Sequence, residues 1–104
     1  MKKIILPLIF LSISSPLQAN DWRALCGDIS GLASQVMKSR QSGIPMSAMI
    51  QATQGDSMIE NMIISAFETP RYSSEKVKKR TIEDFRDKIY LECIKALKEQ
   101  NKIK

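Results

Sequence analysis

The sequence predicts an all-α protein, a small four-helix fold of three to four helices stapled by one disulfide that joins the first helix to the last. Three observations predict it. Apolar residues recur at three- and four-residue spacing along most of the 104 residues. No segment alternates apolar and polar residues between Gly/Asn turns, so no strand is expected. The two cysteines, Cys26 and Cys93, fall on the apolar stripes of the first and last helical segments. The length admits one small domain, and a composition that is 43% apolar and 26% charged belongs to a folding chain rather than a disordered one.

Residues 1–19 read as a secretory signal peptide. Met1-Lys2-Lys3 is a basic start, Ile4 to Ile13 is almost wholly apolar, Ser14-Ser15-Pro16 breaks any helix, and Leu17-Gln18-Ala19 sets cleavage after Ala19. An apolar run of about ten residues is too short for the ~30 Å hydrocarbon core. Arg23-Ala24-Leu25 before Cys26 lacks the apolar residue that an acylated cysteine needs three positions earlier. A periplasmic protein spanning residues 20–104 is therefore expected. Removing Lys2 and Lys3 from the 16 basic residues leaves 14 against 11 acidic ones, a net charge of +3.

Export changes the meaning of two cysteines. In an oxidising compartment an even count implies a disulfide, and only Cys26–Cys93 is available. Closing a loop of that size is worth about 4 kcal/mol in the chain-entropy model. No CxxC supports a redox enzyme. A zinc site would need two further good ligands, and the chain has no histidine, so no metal or other cofactor is expected.

The helices follow in order. Asn20 or Asp21 caps the first, which runs to about Gln41 with Trp22, Leu25, Cys26, Ile29, Leu32, Ala33, Val36 and Met37 on its apolar face. Gly27 and Gly31 each cost about 1 kcal/mol relative to alanine, which suggests close approach of another helix there. Ser42-Gly43 ends the helix. Pro45 opens a short second helix to about Thr53, stopping near Gly55. Ser57-Met58-Ile59-Glu60 has the form of a capping box, starting a third helix to about Glu68 with Ile59, Met62, Ile63, Ala66 and Phe67 as its stripe. Pro70 excludes helical geometry at Thr69. Ser73 or Ser74 then caps the longest helix, to about Gln100, with a buried stripe of Val77, Thr81 or Ile82, Phe85, Ile89, Cys93 and Leu97, and with residues 101–104 frayed. The second and third helices are expected between the first and the last.

An enzyme is not expected, and no catalytic residue is assigned. Glu83 with Asp87 and Glu60 with Glu68 lie along single helix faces, whereas paired-carboxylate chemistry needs two groups facing across a cleft. No histidine-based triad is possible, and no Gly-rich phosphate loop occurs. Three features remain. The basic patch Lys76, Lys78, Lys79, Arg80 sits in a segment, 76 to the end, that holds ten basic and five acidic residues. It reads either as a site for an anionic partner such as a membrane surface or as a solvated face laced by Glu83–Lys79 and Glu92–Lys88. Nucleic acid is not an expected partner, because no aromatic residue interleaves with the basic ones. Met37, Met46, Met49, Met58 and Met62 form either an adaptable binding surface or an irregular core, with Met46 and Met49 expected to be partly exposed. The candidate partner-binding residues are Arg40, Gln41, Met46 and Met49 around a turn fixed by Gly43 and Pro45, together with Arg71 and Tyr72. The pre-organised hairpin from Arg40 to Met49 is expected to matter more than the basic helix.

Cys26-Gly27, Val36-Met37, Arg40-Gln41, Gly43, Pro45-Met46-Ser47, Ala66-Phe67, Pro70-Arg71-Tyr72, Phe85, Tyr90 and Cys93 together resemble small exported proteins of unassigned function from prophages and genomes of Gram-negative bacteria. The resemblance covers Cys26 to Cys93 and implies no activity. More distantly, the size, export, helices and one disulfide are similar to acid-activated periplasmic chaperones. Those carry a tryptophan just before the first cysteine, whereas Trp22 stands four residues before Cys26. The expected function is a non-enzymatic binding protein, of an inhibitor, immunity or exclusion type, acting on a protein in the periplasm or envelope. The alternative is a holdase chaperone whose acid response, without histidine, would rest on carboxylates titrating near pH ~4.

Overall fold

A computed structural model describes residues 21–103. The chain forms α1 (Asp21–Gln41), α2 (Met46–Ala52), α3 (Ser57–Phe67) and α4 (Glu75–Ile103), with no strand among the described residues. The signal segment, the cleavage point after Ala19 and the capping candidate Asn20 lie outside them; Asp21, the other candidate, is already helical. Of the described helices, none is long and apolar enough to cross a membrane. α4 continues past Gln100 to Ile103, because Asn101-Lys102-Ile103 contains no Gly or Pro to interrupt the ladder.

α1 and α4 run antiparallel. Cys26 is bonded to Cys93 with Cα atoms 5.6 Å apart, and the Lys78 ammonium donates to the Gln41 carbonyl at 2.7 Å. Each pair of fastenings is 15 residues apart on its own helix, about 22 Å at ~1.5 Å per residue, so the register does not slip between them. The expectation that the second and third helices lie between the first and last is therefore corrected. A Cα separation of 5.6 Å leaves no room for a layer, and α4 lies directly along α1 while α3 packs on α1 and α2 rests on α3.

The core consists of Ala33, Val36 and Met37 from α1, Met62, Ile63 and Ala66 from α3, and Phe85 from α4. Of the expected α3 stripe, Met62, Ile63 and Ala66 are buried, while Ile59 and Phe67 at its two ends are partly covered. The buried line on α1 is Cys26, Ser30, Ala33, Met37 and Gln41, which includes two polar residues, while Leu25 is half exposed, at 50%. Ser30 is satisfied locally, its hydroxyl donating to the Gly27 carbonyl at 3.0 Å. α4 buries less than expected: Phe85 is buried, but Val77, Thr81, Ile82, Ile89, Cys93 and Leu97 are only partly covered. Gly27 and Gly31 are corrected too. Both are exposed, and a Cβ on either would meet nothing within 4 Å. The small buried residues are Ser30, Ala33 and Ala66 instead.

The helix ends show one further difference. Ser57 is the first residue of α3, and the cap is Asp56, whose carboxylate accepts from the Ile59 amide at 3.0 Å. Glu60 instead accepts from the Thr53 hydroxyl at 3.4 Å. α4 is capped by Ser74, whose hydroxyl accepts from the Val77 amide at 3.3 Å.

Candidate functional site

The C-terminal end of α1 gathers side-chain hydrogen bonds from Arg40, Gln41, Arg71 and Lys78. Gly43, at φ +94°, closes the helix. Its amide donates to the Arg40 carbonyl and the Ile44 amide to the Ser39 carbonyl, both at 3.1 Å, the two bonds of a Schellman motif. Just before this turn sits Gln41, 2% exposed. Its amide nitrogen donates to the Pro70 carbonyl at 2.9 Å and to the Met37 sulfur at 3.6 Å. Its side-chain oxygen accepts from the Tyr72 amide at 2.8 Å. The side chain thus bonds the connector before α4 as a neighbouring strand would. The expectation that Gln41 is presented to a partner is corrected: the side chain is an internal brace. Arg40 is partly buried beside it, with its Nε donating to the Thr69 carbonyl at 3.1 Å and its guanidinium over the Phe67 ring at 4.5 Å.

Arg71 and Tyr72 leave the connector on opposite sides. Arg71 lines a cleft of about 530 Å³ with Lys38, Gln41 and Ser42 from the end of α1 and Glu75, Lys78, Lys79 and Ile82 from α4. Tyr72 lines a separate pocket with Met37, Thr81, Asp84 and Phe85. On α4 the cleft residues are spaced i, i+3, i+4 and i+7, a single helix face. That face takes Lys78 and Lys79 from the basic patch and leaves Lys76 and Arg80 on other faces. Lys79 and Lys88 are not held by Glu83 and Glu92: α4 carries an ion pair at 3.5 Å between Arg86 and Asp87, and Lys88 donates to the Ser65 hydroxyl.

The methionines divide. Met37 and Met62 are core, Met46 and Met58 are exposed, and Met49 is partly buried in a groove with Leu32, Val36, Ile59 and Ile63. The hairpin set is thus split between an internal brace, an exposed Met46 and a partly covered Met49. Sequence reasoning missed a second apolar groove, about 320 Å³, between α1, α3 and α4. Ile29, Met58, Met62 and Ile89 line it beside Cys93, with Asn61, Ser65 and Glu92 at its margin. Its signal in the sequence is the pair Met58 and Met62, one turn apart with Met58 on the edge of the α3 stripe. Among the described residues no group of three or more Cys, Asp or Glu is placed to hold a metal ion. The chain matches no family model, no curated protein and no solved structure.

Proposed function

We propose that the protein is an exported, non-catalytic binding protein that occupies a protein partner in the periplasm or envelope, as an inhibitor, immunity or exclusion factor would. The observation that carries this reading is the groove beside the disulfide. Met58 stands 47% exposed at its edge, and Ile29, Met62 and Ile89 form an apolar floor. An apolar centre with a polar margin is the usual anatomy of a protein interface, and a flexible thioether adapts to the partner's shape. The Cys26–Cys93 bond, which suits an oxidising, exported location, fixes α4 against α1 along the groove. Little conformational entropy then remains to be lost on binding.

The test is capture from periplasmic extract on the immobilised protein, followed by titration calorimetry with the purified partner. One saturable partner at one-to-one stoichiometry is expected, with Met58→Asp weakening it about a hundredfold, as burying an unpaired charge would. Unsaturable retention of many unfolded proteins, unaffected by Met58→Asp, would support the holdase reading in its place.

A further inference from the structure

We propose that the cleft between the end of α1 and the first two turns of α4 is a binding site for a phosphate-bearing anion, with Arg71 and Lys78 as its fixed base and Lys38 and Lys79 as its walls. The site is separate from the apolar groove and shares no residue with it.

The first observation is an unbalanced charge. Four cations line the cleft, Lys38, Arg71, Lys78 and Lys79, against the single carboxylate of Glu75, an excess of +3. That equals the net charge of residues 20–104, 14 basic against 11 acidic. The C-terminal end of α1 offers about half a negative charge. It accounts for one cation drawn to the helix end, not for four.

The second observation is how two of them are held. The Arg71 Nε and the Lys78 Nζ both donate to one acceptor, the Gln41 carbonyl, at 3.4 and 2.7 Å. Two cations are thus converged on a single oxygen, and among the described residues neither has a carboxylate within 4 Å. Their mutual repulsion is left for a ligand to relieve. Each keeps further N–H donors, the guanidinium its terminal nitrogens and the ammonium two protons, and a guanidinium matches the oxygen spacing of phosphate.

The third observation is the cradle. A Cβ at Gly43 would lie 2.8 Å from Arg71 Nη2 and 2.9 Å from its Cζ, so the guanidinium rests where any side chain at 43 would sit. The cleft's volume, about 530 Å³, falls in the range of small-molecule sites and suits a phosphate with part of what it is attached to. The phosphate can belong to a soluble phosphate ester or to a lipid headgroup, which present the same chemistry.

The experiment has two arms on the oxidised protein at low ionic strength. In the first, inorganic pyrophosphate is titrated while backbone amide resonances are followed. Saturable shifts are expected at Ser42, Gly43, Arg71, Lys78 and Lys79. Lys38→Ala with Lys79→Ala, which touches neither the Gln41 brace nor its carbonyl, should weaken binding about tenfold or more. Glu75→Gln should tighten it about threefold by removing the opposing charge. Lys95→Ala with Lys98→Ala, the same change in net charge elsewhere on α4, should leave it unchanged. In the second arm, vesicles of phosphatidylcholine with and without phosphatidic acid are floated with the protein. Saturable pyrophosphate binding without flotation assigns a soluble phosphate ester, and flotation with phosphatidic acid that is lost in the Lys38/Lys79 variant assigns a headgroup. An equal loss in the Lys95/Lys98 variant, unsaturable shifts scattered over the surface, or no response in either arm would overturn the proposal.

Discussion

α1 and α4 are fastened to each other twice, about 22 Å apart, and the two ends are built differently. At one end a covalent bond joins Cys26 to Cys93. Packing around it is thin: Leu25 is half exposed, Leu91 is 56% exposed, and Gly27 and Gly31 weaken the helix with open space beside them. At the other end nothing is covalent. Gln41 is buried with both polar atoms bonded, Met37 is buried one turn before it, and Arg71 and Lys78 close on its carbonyl. The difference teaches where side-chain precision is needed. A cross-link holds two helices together through weak local packing, whereas a hydrogen-bonded end holds only if each buried donor and acceptor is answered.

The largest break in this comparison comes at the covalent end. Cys26→Ala with Cys93→Ala should remove about 4 kcal/mol, lowering the melting temperature by roughly 15–30 °C at about 4–8 °C per kcal/mol. A circular dichroism melt within about 5 °C of wild type would mean that packing, not the bond, holds that end. Next is Gln41→Ala, which orphans the Pro70 carbonyl and the Tyr72 amide and should cost about 2–3 kcal/mol in urea unfolding. Hydrogen exchange sharpens it: the Tyr72 amide should lose its protection while amides near Cys26 keep theirs. Retained protection at Tyr72 would remove Gln41 from its bracing role. The smallest effect has the opposite sign. Gly27→Ala with Gly31→Ala should stabilise the protein by up to about 2 kcal/mol, since each alanine gains helix propensity and meets no neighbour. Destabilisation would show that the glycines are needed for a contact.

How far the sequence carries depends on the reach of the interaction. The four helices are legible because their apolar spacing is local, and the middle of the α3 stripe, Met62, Ile63 and Ala66, is buried as its period implies. The disulfide is legible because one pairing exists. Ser30 and Gln41 are not, because a pattern of apolar residues passes over polar ones, and the main-chain partners of the Gln41 side chain stand 29 and 31 residues further on. The basic cleft is half legible. Lys78 and Lys79 stand in a visible run, but Lys38 and Arg71 come from other segments and join them only through the fold. The face that selects Lys78 and Lys79 over Lys76 and Arg80 was available in the sequence, since Glu75, Lys78, Lys79 and Ile82 share a helical period ending on an apolar residue.

The bonds Gln41 makes to the connector have a consequence for how this surface can change over generations. Both go to main-chain atoms, the carbonyl of Pro70 and the amide of Tyr72. Every amino acid supplies that carbonyl, and every one but proline supplies that amide. The path of the segment is thus written by Gln41 through bonds that do not depend on which side chains stand at 71 and 72, and the Arg71 side chain adds its own bond to the Gln41 carbonyl. One faces the basic cleft and the other a pocket on the opposite side. Drift at these two positions alters the lining of each side while the scaffold stays put, so the surface of the corner can be rewritten in single steps.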